Sequence, residues 1–274
     1  MNDILFASLI IGVAGIILGV ILAVFSKIMA VEVDEKEEMI RAMLPGANCG
    51  ACGYTGCDGF AQALANGSEK DITLCKPGGQ QTVDQISAYL GIEAAKLSKT
   101  TAVVMCQGNS HNTQNRADYS GAKSCQMAGL VAGGDSQCGY GCLGYGDCVS
   151  VCKYDAIKII DGVAFIDPIK CTSCMECIKT CPRNIIELMP LEKSYSIVFC
   201  HNEDRGPVAN KVCRVSCIAC RRCVSACPEN CITIRNNLAV IDHEKCTNCG
   251  ACQQVCPHQC ILSLYPAEEL LTKV

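Results

Sequence analysis

The sequence predicts an α+β protein with a single N-terminal transmembrane helix, a small four-cysteine module and two tandem modules of related design. Three observations carry that expectation. Residues Ile4 to Ser26 hold no charged side chain. Cysteine fills 26 of 274 positions, most of them in tight groups. A segment ending at Cys171 recurs, 75 residues later, ending at Cys246. The expected segments are 1–30, 31–100, 101–195 and 196–274.

The first segment reads ILFASLIIGVAGIILGVILAVFS, 23 residues, long enough as a helix to cross a bilayer with some tilt. A cleaved leader would carry a positive start and a small-residue cleavage site. Here Asp3 precedes the run and no A-x-A follows it, which favours an uncleaved anchor. Lys27 directly after the run favours a cytoplasmic C-terminal side. Gly15 and Gly19 form a G-x3-G with Gly12 near the same face, a pattern that either packs on a partner helix or reflects the frequency of glycine in membrane helices. Val31 to Met39 is an acidic connector leading into a solvated helix start.

The cysteines define the chemistry. Cys171 to Pro182 reads C-T-S-C-M-E-C-I-K-T-C-P, Cys217 to Pro228 reads C-I-A-C-R-R-C-V-S-A-C-P, and Cys246 to Pro257 reads C-T-N-C-G-A-C-Q-Q-V-C-P. Three cysteines two apart, then C-P after three more residues, is the two-cluster ferredoxin spacing. A disulfide scaffold wants a short secreted chain with scattered cysteines. A zinc site pairs one C-x2-C with a distant second pair and leaves the consecutive steps unexplained. Cluster thiolates need a reducing compartment, so a single-pass protein of the cell membrane with its cysteine modules on the cytoplasmic side is expected. Aromatics are 5% of the chain and Trp is absent, so the cores are small and bound metal contributes folding energy. The formal charge of −4 omits the clusters. Each oxidised four-iron cluster with four thiolates adds about −2.

In the first module Cys49, Cys52 and Cys57 sit on a glycine-rich loop, and Cys75 follows a helix expected over Asp58–Asn66. Four thiolates with one remote fit a single four-iron cluster, and the glycines let peptide N–H groups approach its sulfurs. Thr82 to Lys99 reads as a closing helix.

The two remaining modules each order a cysteine group, a β-hairpin and a second cysteine group. The hairpins are expected over Ile157–Ile166, turning at Asp161-Gly162, and over Ile232–Ile241, turning at Asn236-Asn237. In this layout the fourth cysteine of each group ligates the other cluster. Cys217, Cys220, Cys223 and Cys256 are expected to hold one cluster, and Cys246, Cys249, Cys252 and Cys227 its partner. The central module has an altered group, Cys138, Cys142, Cys148 and Cys152, with Lys153 where proline is usual. The same crossing rule gives Cys138, Cys142, Cys148 and Cys181 for one cluster, and Cys171, Cys174, Cys177 and Cys152 for the other. The irregular spacing leaves a three-iron or absent cluster open. With the first module, five [4Fe-4S] clusters are expected.

Gly139, Gly141 and Gly144 match G-x-G-x-x-G but interleave with ligand cysteines, so loop geometry explains them better than a dinucleotide. No nucleotide, flavin or nucleic-acid site is expected, and no catalytic constellation stands out. Cys231 and Cys260 read as buried and unreactive. Cys106 and Cys125 precede the central unit as Cys200 and Cys213 precede the C-terminal one, and Thr101–Met105 and Ser196–Phe199 read as strands. Structural packing, a sixth cluster from these four cysteines, or a redox-active pair in each unit all fit. His111, His201, His243 and His258 lack ligand spacing, and His201 reads as an exposed loop residue.

The anchor, the C-x2-C-G-x3-C…C module and the segment C-x-Y-G-C-L-G-Y-G-D-C at 138–148, taken together, resemble the B subunit of the Rnf complex, in its clostridial-type form with two ferredoxin units. The resemblance covers essentially the whole chain. It implies a multi-cluster electron-transfer subunit of a membrane-bound ferredoxin:NAD oxidoreductase that pumps Na⁺ or H⁺. It implies electrons taken from reduced ferredoxin, passed to membrane and peripheral partner subunits, with NAD and flavin chemistry in those partners. A subunit of another membrane complex, such as a hydrogenase, is the alternative. Soluble ferredoxins are acidic, so Arg205, Lys211, Arg214, Arg221 and Arg222 beside the Cys217 group form a candidate docking face, or else offset the cluster's own charge.

Overall fold

A computed structural model of the chain describes residues 12–13, 15–25, 34–191 and 194–264. The expected anchor at 4–26 lies in part outside the described residues. Its described residues, 12–13 and 15–25, are helical and exposed. Among the described residues no helix is long and apolar enough to cross a membrane.

Three helices build the first module: α1 (Glu35–Met43), α2 (Cys57–Ala65) and α3 (Gly79–Leu90). Asp34 caps α1, its side chain accepting from Lys36 N at 2.9 Å, and Glu35, Glu37 and Glu38 complement the positive helix end. The described part of the acidic connector, 34–39, is therefore a helix start. The closing helix is shorter than the 82–99 expectation. Gly91 turns left-handed (φ 68°), its N–H caps Ser87 O, and residues 92–99 are not helical. Ile40, Phe60, Leu64, Val83 and Ile86 pack with Cys57 and Cys75 into one core, and Arg41 on α1 pairs with Asp58 on α2.

The rest of the described chain carries four two-stranded antiparallel sheets. β2 (Ile157–Ile160) pairs with β3 (Val163–Ile166), and β6 (Ile232–Arg235) with β7 (Leu238–Ile241). These are the two expected hairpins. Both turn residues of each are left-handed, Asp161 and Gly162, Asn236 and Asn237, as a tight two-residue hairpin requires. Two outer sheets close over long spans: β1 (Thr100–Val104) with β4 (Ile186–Pro190), and β5 (Tyr195–Val198) with β8 (Ile261–Leu264). Short helices α4 (Cys125–Leu130), α5 (Asp147–Ser150), α6 (Glu176–Thr180), α7 (Gly206–Val212), α8 (Arg222–Ala226) and α9 (Ala251–Gln254) carry cysteines or lie next to them.

A lone two-stranded sheet is marginal in water. Each unit therefore packs its hairpin and outer strands on one small core: Ala102, Ile157, Ile166 and Ile186 with Cys148 and Cys177, and Ile232, Ala239, Ile241 and Ile261 with Cys217 and Cys252. The units meet through Val103, Met105, Met189, Tyr195 and Ile197. A loop of the central unit is stitched to the C-terminal one. Arg214 N donates to Asn112 O (2.9 Å) and Thr113 Oγ1 donates to Val212 O (2.8 Å). The first module touches the central unit where Lys179 Nζ donates to Cys49 O at 2.8 Å.

Phe60 is 1% exposed at the centre of the first core. Phe60→Ala is expected to cost about 3–5 kcal/mol, read as a lower thermal midpoint of the full chain under anaerobic conditions. An unmoved midpoint would contradict this packing.

Candidate iron–sulfur sites

The described thiols surround cavities. Cys49, Cys52, Cys57 and Cys75 line one. Cys152, Cys171, Cys174 and Cys177 line a second. Cys125, Cys142, Cys148 and Cys181 line a third, and Cys217, Cys220, Cys223 and Cys256 a fourth. A fifth is lined by Cys106, Cys138, Cys200 and Cys213. Each encloses roughly 310–360 Å³ of atom-free space, part of it open to solvent. Cys227, Cys246, Cys249 and Cys252 stand together beside the C-terminal core, three of them within it or packed against it. Among the described residues no three His, Cys, Asp or Glu side chains converge on a single ion. The sulfurs surround volumes, whereas one tetrahedral zinc at about 2.3 Å would draw them to a point.

The backbone is shaped to present N–H groups to sulfur. In each regular group the residues two and four after the first cysteine are left-handed: Ser173 and Met175, Ala219 and Arg221, Asn248 and Gly250. So is the third residue after each fourth cysteine: Asp155, Asn184, Asn230 and Gln259. Non-glycine residues adopt this region at a cost, so its recurrence marks a constraint. The result is a peptide N–H two residues on from a cysteine that donates to its sulfur. Asn248 N reaches Cys246 Sγ at 3.4 Å, and Ala219 and Glu176 serve Cys217 and Cys174 in the same way.

The altered central group is arranged differently from the expected set at one position. Cys142, Cys148 and Cys152 keep the offsets of Cys171, Cys177 and Cys181, and Gly144 and Gly146 take the left-handed places. Tyr145 stands where the second cysteine belongs. Burial first, then its hydrogen bond to Asp135 Oδ2 (2.5 Å), pushes the Tyr145 phenol up to about 12. Cys125 at the start of α4 lines the cavity instead. Asp147 places it, accepting from Cys125 N (2.9 Å), Gln126 N (3.0 Å) and Ser124 Oγ (2.9 Å). Burial opposes the Asp147 charge, but these donors outweigh it and hold the carboxyl below its ordinary range. Cys138, expected with Cys142, Cys148 and Cys181, lines the fifth cavity. The missed signal was the 75-residue offset, which sets Cys142, Cys148 and Cys152 on Cys217, Cys223 and Cys227, and Cys138 on Cys213.

Burial pushes the thiols of Cys148 and Cys177 up to about 12, and those of Cys75 and Cys223 up to about 11. Binding metal there releases protons. Cys217 and Cys256 run the other way, to about 6 and about 5, because each shares a hydrogen bond with the Cys260 thiol, and Cys260 is raised in turn. Cys260 lies 3.6 Å from Cys256 Sγ, and Cys231 lies 3.4 Å from Cys227 Sγ. Both are buried, as expected, and each sets its sulfur within hydrogen-bonding reach of a candidate ligand. Buried nitrogens without a partner among the described residues, Arg183 Nε and His258 Nδ1, belong to residues lining the third and fourth cavities. Donors at these positions suit inorganic sulfide. His201 is half-buried on the fifth cavity, where the sequence suggested an exposed loop. Arg205, Lys211, Arg214, Arg221 and Arg222 are exposed, as is Cys220 among them. None of the five is in an ion pair with a described residue.

Three family models match the chain: a putative Fe-S cluster over residues 44–77, a 4Fe-4S binding domain over 164–187 and a 4Fe-4S dicluster domain over 216–260. The chain is 45% identical over 247 residues to the B subunit of the Na(+)-translocating ferredoxin:NAD(+) oxidoreductase complex of Acetobacterium woodii, covering 90% of this chain and 74% of that one. It is 32% identical to the B subunit of the proton-translocating ferredoxin:NAD(+) oxidoreductase complex of Clostridium ljungdahlii, covering 90% and 87%. It is 35% identical to the B subunit of an ion-translocating oxidoreductase complex of Methanosarcina acetivorans, covering 85% and 88%.

Asp147→Ala removes the acceptor of three donors at the start of α4. The expected local cost is on the order of 1–2 kcal/mol. Iron bound to the anaerobically purified chain should fall by up to about four atoms, one cluster's worth. Full iron content in this variant would show that Cys125 needs no such anchor.

Proposed function

Because the chain belongs to the family of B subunits of ion-translocating ferredoxin:NAD(+) oxidoreductase complexes, we propose that it is the electron-transfer subunit of such a complex. It takes electrons from reduced soluble ferredoxin and relays them to membrane and peripheral partner subunits, where NAD⁺ is reduced. The observation that carries this reading is the set of four-thiol cavities that recurs from the first module to the C-terminal unit.

The ligand sets are Cys49, Cys52, Cys57 and Cys75; Cys125, Cys142, Cys148 and Cys181; Cys152, Cys171, Cys174 and Cys177; Cys217, Cys220, Cys223 and Cys256; and Cys227, Cys246, Cys249 and Cys252. A [4Fe-4S] cluster bound at each supplies one-electron chemistry at low potential. The protein's part is to fix the thiols, which give up their protons when metal binds, to aim N–H donors at sulfur, and to keep water off the buried sides. Segments 1–30, 31–100, 101–195 and 196–274 act as anchor, first module, central unit and C-terminal unit. The uncharged run at 4–26 anchors the chain by a single pass, and thiolate chemistry sets the modules on the cytoplasmic side.

Electrons enter at the C-terminal unit and leave through the first module. Two features support this direction. The exposed Cys220 lies among the exposed Arg205, Lys211, Arg214, Arg221 and Arg222, which suit an acidic ferredoxin. At the other end, Lys179 Nζ reaches Cys49 O and joins the central unit to the module next to the anchor. Gly139, Gly141 and Gly144 lie among candidate ligands, so nucleotide chemistry is left to the partners.

Anaerobic iron and sulfide analysis with redox-titrated EPR tests the reading. At least about 20 iron atoms per chain are expected, four for each of the five sets, in low-potential reducible clusters. Iron near 12 atoms, or clusters that no physiological reductant reaches, would reject it. Charge reversal at Arg214 and at Arg221–Arg222 should slow ferredoxin oxidation on the order of tenfold at low ionic strength and flatten its salt dependence. An unchanged rate would move the docking face elsewhere.

A further inference from the structure

Cys106, Cys138, Cys200 and Cys213 belong to no ferredoxin motif, yet they line one cavity between the central and C-terminal units. We propose that these four thiolates hold a sixth four-iron cluster that bridges the two units. The proposal rests on the iron–sulfur reading above and adds a site that the five motif-derived sets omit. The matched family models, over 44–77, 164–187 and 216–260, include none of the four residues.

The site repeats the internal symmetry of the chain. Cys106 follows β1 as Cys200 follows β5, and each comes two residues after its strand ends. Cys138 stands four residues before Cys142, as Cys213 stands four before Cys217. Each unit thus contributes an equivalent pair. Their donors are equivalent too. Gly108 N reaches Cys106 Sγ at 3.3 Å, and Asn202 N reaches Cys200 Sγ at 3.5 Å. Cys142 N reaches Cys106 Sγ at 3.5 Å, and Cys217 N reaches Cys200 Sγ at 3.3 Å. The donors from Gly108 and Asn202 are the N–H groups two residues on, the same device that serves the regular motif cysteines. Cys213 receives its donor from Val215, again two residues on, and Asn202 Nδ2 donates to Cys138 Sγ at 3.5 Å.

Packing alone does not account for the arrangement. Four buried or half-buried thiols used as small apolar fillers would close the space between them, because an empty cavity costs stability. Here they line a cavity of the same size as those lined by the motif cysteines of the central and C-terminal units. The amide nitrogen of Gln107, which lines this cavity, is buried without a partner among the described residues. An inorganic sulfide is an acceptor it lacks. A redox pair of Cys106 with Cys125 is excluded, because the two line different cavities.

Assembly exchanges four S–H protons for four S–Fe bonds to a pre-formed four-iron core, whose oxidised form with four thiolates carries about −2. One electron then enters from one neighbouring set and leaves to the other, with no bond made or broken. The site is placed for this: the peptide N–H groups of Cys142 and Cys217, members of the sets on either side, touch its sulfurs.

The full chain, produced and purified anaerobically, should contain about 24 iron atoms, four for each of six clusters. Cys106→Ala and Cys213→Ala should each lower this to about 20 while the remaining EPR signals persist. Asn202→Ala should keep all iron and lower one midpoint potential, because it removes a donor to a ligand sulfur. About 20 iron atoms in the parent chain, unchanged in both cysteine variants, would overturn the proposal, as would about 20 iron atoms with one zinc. Should a cysteine variant lose further clusters through collapse of the inter-unit contact, Asn202→Ala decides. A shifted potential upholds the site and an unshifted titration overturns it. Failure of the underlying iron–sulfur reading looks different, since the parent chain would then hold little iron at all.

Discussion

Sulfur that is to hold charge away from water must be met by fixed N–H groups, and much of this structure follows from that requirement. A buried thiolate without donors is expensive, and small modules cannot supply a wide apolar shell to relieve it. The chain answers with backbone. Left-handed residues recur at the second and fourth places after the first cysteine of each regular group, on Ser173, Met175, Ala219, Arg221 and Asn248, where no glycine eases the turn. Each such residue costs free energy by itself and persists because the surrounding loop over-determines it. Gly144 and Gly146 do the same work in the altered group, which is why that group keeps its shape although its second cysteine is a tyrosine.

The same requirement limits the architecture. All four sheets have two strands, and none would stand alone. The cores that hold them include cysteines as structural members, Cys148 and Cys177 in the central unit and Cys217, Cys223 and Cys252 in the C-terminal one. Fold and metal are therefore coupled: the strands position the thiols, and the bound cluster fills the space the strands leave open. The two outer sheets carry a second burden. Their facing residues, Val103, Met105, Tyr195 and Ile197, hold the units against each other and set Cys106 opposite Cys200.

Much of this was legible from residue spacing. The regular C-x2-C-x2-C-x3-C-P groups fix local geometry so tightly that grouping and hairpins follow, and Asp161-Gly162 and Asn236-Asn237 fall at the turns. What spacing hides is the exchange of partners between non-adjacent loops. Counting from Cys138 makes the altered group look stretched. Counting from Cys142 makes it regular with Tyr145 in the second place, and the fourth thiol lining that cavity then comes from α4, a helix inserted by a loop the C-terminal unit lacks. No local pattern announces that Cys125 joins Cys142 while Cys138 joins Cys213. It depends on Asp147 pinning the α4 start and on the 106–116 loop crossing to the other unit. The helix expected through Lys99 ended at Leu90 because Gly91 offered a left-handed cap, a signal present in the sequence but outweighed by the polarity pattern beyond it.

Lys153 illustrates how a departure from a motif is explained by a neighbour. The usual proline after the fourth cysteine stiffens the turn, and its loss in the central group looks like decay of the site. The turn nevertheless keeps its shape, with Asp155 left-handed like Asn184, Asn230 and Gln259. Lys153 Nζ lies 3.5 Å from Ala47 O, and Lys179 Nζ, from the second cysteine group of the same unit, lies 2.8 Å from Cys49 O. Both ammonium groups reach the loop that carries Cys49, Cys52 and Cys57. Exposed contacts of this kind add little to stability. Their value is electrostatic. A loop gathering three candidate thiolates beside the four of the Cys152, Cys171, Cys174 and Cys177 set is self-repelling, and two cations at the seam offset that repulsion where the modules must stay close enough for electrons to pass. Proline cannot do this, so the lysine belongs at this group, whose fourth cysteine stands where the central unit docks on the first module.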